Sequence, residues 1–228
     1  MNTCPHKLRS DLPPLTPRIA RLPIDERGYP VPFFVQWVDE NNEPTNPGVG
    51  RPEFRMMDGR KWRRCVKEKL CWVCGEPLGR FMAFPIGPMC CVNRVTSEPP
   101  SHLDCAQWSV KGCPFLSRPN MVRREDELTE TNKGNVAGVM IERNPGVMAI
   151  WVTEGYRPFK APNGYLIAIY DPVSVDWFTQ GRPATRAEVM QAICDGSPAL
   201  QAVCKTAEEH YALGSAVGVV VTKYLPKQ

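Results

Sequence analysis

Nowhere in its 228 residues does the chain carry an apolar run approaching the roughly 18 residues of a membrane span, so no transmembrane segment is expected. The opening stretch, MNTCPHKLRSDLPPLTPR, has no apolar core of the kind a secretory signal needs, and a cytoplasmic location is the expectation. Also missing are a P-loop, an HExxH, a GxSxG and a dinucleotide fingerprint. Their absence removes the commonest sequence signs of phosphate transfer, metalloproteolysis, acyl transfer and dinucleotide chemistry. Histidine is scarce, at three residues: His6, His102 and His210. There is no internal repeat and no low-complexity tract.

What remains is globular composition, 43% hydrophobic and 23% charged, in a length that fits one sizeable domain or two small ones. Proline, at 24 residues, is about twice its usual share, which predicts long ordered loops and short elements. A net charge of +4 permits an anionic partner without requiring one. Ten cysteines without a secretory route point to metal binding or buried thiols rather than disulfides.

The expected fold class is α+β, with short strands and helices around an embedded metal-binding finger. Residues 1–28 read as an extended Pro/Arg-rich arm lying on the domain. Residues 29–123 read as an α+β region containing the finger at 71–113. Residues 124–135 are a polar linker or surface excursion, and 136–228 form a second α+β region ending in helices. YPVPFFVQWV predicts a strand, and PEFRMM a short strand pairing back with it. Asp58 is placed to cap a helix in which Trp62, Cys65, Val66 and Leu70 share one face. Further strands are expected around 148–153 and 165–170. Thr185 and Glu188 form a capping box for one C-terminal helix, and another is expected from Pro198 onward through ALQAVCKTAEEHYAL.

The chemistry concentrates in one stretch, from Cys71 to Cys105, which holds five of the ten cysteines. Cys71-x-x-Cys74-Gly75 is the spacing that folds two thiolates around one ion, the glycine allowing the positive φ of the turn. A thioredoxin-type pair would open a helix, which Gly75-Glu76-Pro77 cannot continue. The second pair, His102 and Cys105, falls three residues apart in a helix that Ser101 is expected to cap. Between the pairs, segments flanking Pro85-Ile86-Gly87-Pro88 suit a β-hairpin with a wide turn. Cys113 lies about 12 Å further along that helix, and the adjacent Cys90 and Cys91 face opposite ways if they lie in a strand. Replacement of His102 by Cys90, Cys91 or Cys113 stays open as the alternative ligand set.

Knuckle, hairpin and a helix carrying a ligand pair resemble the treble-clef class of zinc fingers over about 35 residues. The resemblance implies one structural zinc ion per chain on Cys71, Cys74, His102 and Cys105. Treble-clef nucleases of the HNH type need a histidine base in the hairpin, and this one has none. A zinc deaminase would need His-x-Glu before its cysteine pair, which is also missing. No catalytic residues and no small-molecule cofactor are assigned.

The cations cluster around the same region. Arg60, Lys61, Arg64 and Lys67 are expected on the solvated face of the 59–70 helix, with Arg80 and Arg94 in the hairpin and Arg123 and Arg124 after it. Arg63 and Lys69 border the buried stripe. A scaffold holding these cations would bind phosphates with little sequence preference, on DNA or RNA. That makes a nucleic-acid-binding protein the leading expectation, followed by a protein-interaction subunit of a larger complex. Third is a metal-dependent nuclease built on Asp39, Glu40, Glu43, Glu53 and Asp58. As a whole the chain resembles proteins of bacteria and their phages or plasmids, which implies a nucleic-acid or defence setting.

Overall fold

Asp58 starts the first long helix as its side chain accepts a hydrogen bond from the backbone N–H of Arg60 at 2.8 Å. That helix, α1, spans Gly59–Glu68 and seats Cys65 in the core. This computed structural model describes residues 6–118, 145–162 and 164–227, and its architecture is α+β.

Before α1 come β1 (Val35–Val38), β2 (Pro44–Thr45) and β3 (Arg51–Met57), an antiparallel sheet in the order β2-β1-β3. The return strand expected from PEFRMM is therefore present. The aromatic run before it is strand only from Val35; Phe33 and Phe34 instead pack around Trp72, Leu70 and Cys65.

A second sheet gathers β4 (Met82–Ile86), β6 (Met148–Thr153), β9 (Pro172–Thr179) and β10 (Arg182–Pro183) in the order β10-β9-β6-β4. All six residues of β6 are buried, because both faces of this sheet are covered. Ala83, Ile150 and Val152 meet Ala106 and Val110 of α3 (Leu103–Gly112) on one face. Phe84, Ile86 and Trp151 enter the main core on the other. There they join α2 (Pro88–Asn93), α5 (Arg186–Gln201) and α6 (Ala207–Lys223) through Cys91, Val189, Ile193 and Val220. A third sheet, β5 (Val95–Thr96), β7 (Tyr156–Ala161) and β8 (Gly164–Ile169), contributes Ile167 and Ile169 to the same core. A one-turn helix, α4 (Pro114–Ser117), follows α3.

Two expectations are corrected. The segment between the ligand pairs is not a hairpin: β4 pairs with β6 more than sixty residues later, and Pro88 then opens α2 from its first turn, where its missing N–H is no loss. Cys90 and Cys91 accordingly lie on a helix. Near the C-terminus, α5 runs through Pro198 to Gln201, and the next helix begins only after Thr206. Thr206 and Glu209 cap each other reciprocally there, and that signal sets the start. The expected linker at 124–135 lies outside the described residues, as do Cys4, Arg123 and Arg124. Strands from both sides of that segment, β4 and β6, share one sheet.

Candidate metal centre

The knuckle begins where α1 stops. Lys69 takes the left-handed conformation at φ 52° and its N–H closes the helix on the carbonyl of Cys65. The chain then folds back on itself. Leu78 N–H donates to Lys69 O, Cys71 N–H to Glu76 O and Gly75 N–H to Cys71 O, each at 2.8 Å. Gly75 has φ 75°, and a β-carbon there would sit 2.7 Å from the Phe33 ring. Glycine is thus required twice over, by backbone conformation and by the ring pressed against it.

The second ligand pair is placed by β4. Ala83 and Ser101 exchange two backbone hydrogen bonds, at 2.9 and 2.8 Å, which fixes the residue just before His102. Ser101, expected as the cap, is wholly buried in that bridge, and His102 takes the capping position before α3. His102 and Cys105 then turn the same way in the first turn.

One sulfur from each of Cys71, Cys74 and Cys105 and one ring nitrogen of His102 all lie within 4.8 Å of one another. A tetrahedral ion with thiolate bonds of about 2.3 Å sets ligand separations of about 3.8 Å, so this spread suits one ion. The Nδ1 of His102 is 3.3 Å from Cys74 Sγ, and its Nε2 lies 3.0 Å from Pro77 O. An Nε2–H bond to that carbonyl leaves Nδ1 free as the donor atom. Backbone N–H groups of Cys74 and His102 both point at Cys71 Sγ from 3.4 Å, as amides do toward a thiolate.

No protein-family model, curated protein or solved structure matches the chain. The reading of the site rests on its own chemistry.

Burial pushes the Cys71 thiol up, yet hydrogen bonds from Cys105, Cys74 and His102 overcome it and hold Cys71 well below the usual range. Cys105 is pushed up, first by its contact with Cys71. Contact with Cys105 favours the Cys74 thiolate, but the Cys71 charge and burial outweigh it and push Cys74 up to about 11. Thiols this close disfavour one another's ionisation, and a cation among them relieves that repulsion. A dication at the centre would accept all three as thiolates, so the four residues can hold one metal ion. Among the described residues this is the single group of three or more metal-binding side chains found together. Cys90, Cys91 and Cys113 lie outside this group, and His102 lies within it.

The site is covered on one side, with Cys74 and His102 left partly exposed on the other. Cys71, Cys105 and Ile19 are completely buried, with Val73, Trp108, Leu12, Leu15 and Leu22 around them. Ile19 comes from the N-terminal arm, which ion pairs from two arginines clamp beside the ligands. Arg18 reaches Glu76 at 3.2 Å and Asp104 at 3.0 Å, and Arg21 reaches Glu76 at 2.7 Å. Four side chains at these separations are enough to complete one tetrahedral set of donors.

Three of the five acidic residues of the nuclease expectation have partners of their own. Glu53 is buried between Arg51 and Arg55, Asp58 caps α1 and pairs with Arg60, and Asp39 accepts from its own turn at Asn41 and Glu43.

Of the expected phosphate-binding cations, one is corrected. Lys61 is buried, not solvated: its Nζ donates to Val35 O at 2.8 Å and lies over the Phe33 ring. Its position on α1 turns it toward β1, and burial lowers its pKa. Arg60 and Arg64 are more than half exposed and reach Asp58 and Glu68, at 3.1 and 3.2 Å. Lys67 is exposed, as is Arg63, which the sequence pattern places at the border of the buried stripe. Arg80 pairs with Glu154 at 2.9 Å. Arg94 pairs with Asp171 at 3.2 Å and lies 4.2 Å from the Trp151 ring centre.

Proposed function

We propose that this chain is a nucleic-acid-binding protein in which one structural zinc ion, on Cys71, Cys74, His102 and Cys105, braces a basic helix that grips phosphates. Three thiolates and an imidazole in a closed tetrahedron are the donor set zinc takes in structural sites, and the soft thiolates disfavour magnesium or calcium. The observation that carries the binding half is the outer face of α1. Arg60, Arg63, Arg64 and Lys67 are spaced i, i+3, i+4 and i+7, and all four are exposed. Their partners on the helix, Asp58 and Glu68, neutralise two of the four, so the stripe keeps a net positive field. The knuckle begins at the C-terminal end of this helix, and the buried Lys61 fixes its flank to β1, so the cations ride on a rigid element. Cations held in this way grip the phosphate backbone and read little sequence.

The test is a fluorescence-anisotropy titration at several salt concentrations, wild type against R60A/R63A/R64A/K67A. The variant is expected to bind more weakly on every sequence, with the salt slope reduced by roughly 0.7–0.9 for each phosphate that the helix no longer neutralises. Thermal unfolding of the variant should stay close to wild type, since exposed charge pairs contribute under about 1 kcal/mol each. Coincident binding curves would overturn the reading. Native mass spectrometry tests the metal separately: one zinc per folded chain is expected, and a folded metal-free chain would refute it.

A further inference from the structure

Helix α1 has two apolar walls. Cys65 and Lys61 face the cluster around Phe33 and β1, while Trp62 and Val66 pack against the main core beside the third sheet. Arg63 and Lys67 each follow Trp62 and Val66 by one residue, about 100° further round the helix. The wall formed by Trp62 therefore borders the basic stripe. Its indole is fixed by a bond from Nε1 to Ser97 O at 2.8 Å, and its outer neighbour is Tyr165, with ring centres 5.9 Å apart.

Tyr165 stands near the start of β8, directly opposite Lys160 of β7, so the two side chains share one face of the sheet. More than half of the tyrosine (55%) is open to solvent, and Lys160 is exposed too. The result is an aromatic ring backed by a hydrogen-bonded tryptophan, with Lys160 across from it on β7 and Arg63 and Lys67 each one residue along α1 from that tryptophan wall. In a duplex both faces of each base are covered by its neighbours, and such a ring would find nothing to stack on. A single strand offers bare base faces and a phosphate chain alongside them, which is the combination of aromatic platform and cationic track used for sequence-tolerant binding.

We infer, resting on the reading that α1 binds phosphates, that the nucleic acid is single-stranded and that Tyr165 stacks on one of its bases. Binding of a 15-nucleotide oligo-dT and of a duplex of equal length to the whole chain tests this. Wild type, Y165F, Y165L and the α1 quadruple variant are compared, with thermal unfolding confirming that each is folded. The expected result is tighter binding of the single strand by wild type. Y165L should lose about tenfold or more on oligo-dT and nothing on duplex, while Y165F stays within about twofold on both, because a stacked base is held by the ring and not the hydroxyl. Leucine still covers Trp62, so a purely structural tyrosine would leave Y165L unchanged. Equal affinity of Y165L and wild type for oligo-dT, with the α1 variant still weakened, would overturn the stacking inference and leave phosphate binding by α1 standing. No binding of either nucleic acid by wild type would overturn both.

Discussion

A methyl group added at Gly75 would meet the Phe33 ring at 2.7 Å while forcing a β-carbon into φ 75°. The left-handed backbone costs about 1–2 kcal/mol and overpacking about 1–3 kcal/mol, so Gly75→Ala should destabilise by roughly 2–5 kcal/mol. Urea unfolding of both proteins in zinc-containing buffer measures it. Gly79→Ala is the control: a β-carbon there meets nothing within 4 Å, and its effect should be small. Glu53 makes a second prediction at the same scale. Burial would raise its carboxyl, but hydrogen bonds from Arg55 and Arg51 outweigh that and hold it at about 2, below the ordinary 4.5. A depressed carboxylate contributes stability that is complete above the unfolded value and lost as pH falls through the folded one. The stability gap between wild type and E53Q should therefore be constant from pH 7 to about 5, then shrink between about 4.5 and 2. A gap that does not change with pH would show that the ion pairs carry none of it.

Among the elements, the N-terminal arm has the most specific consequence. Its Ile19 is completely buried against Cys71 and Cys105, and truncating a buried isoleucine costs about 2–5 kcal/mol where the site cannot collapse. Ile19→Ala should speed zinc transfer to a coloured chelator severalfold, whereas Leu8→Ala, at an exposed position of the same arm, should not. Elements set by local chemistry were readable in the sequence. Asp58 caps α1, Thr185 and Glu188 form their box, and Cys71, Cys74, His102 and Cys105 converge as their spacing requires. Elements set by distant partners were not. Nothing local in MAFPI names β6 as its partner, and nothing in the α1 pattern says that Lys61 will meet the carbonyl of Val35. The capping box at Thr206 and Glu209 is present in the sequence and outranks Pro198 as the marker of the last helix, because it satisfies orphan amides where proline merely lacks one. Tyr165 is a different case: its exposure depends on which face of a three-stranded sheet reaches α1, a property of packing alone.

Across the whole molecule, the metal site and the main core are joined by one strand. β4 is tied to Ser101, next to His102, on one side and to β6 along its full length on the other. The same strand sends Ala83 to α3 and Phe84 to the core shared with α5 and α6. If the four residues hold an ion, removing it would leave three crowded thiols that disfavour one another's ionisation, and the loop from Cys71 to Glu76 and the first turn of α3 would lose their common anchor. Loosening should then travel through the Ala83–Ser101 bridge into β4 and from there to β6, whose six residues are otherwise wholly buried. Helix α6 is different, because only Val220 among its 17 residues is buried and the rest of its packing is partial. Hydrogen exchange with and without a zinc chelator should show amides of 71–78, 82–86, 101–106 and 148–153 losing protection together. Amides in the first half of α6 should exchange readily in both states. If β6 kept its protection after metal removal, the second sheet would be a folding unit independent of the metal centre, and the bridge at Ala83 would carry no coupling between them.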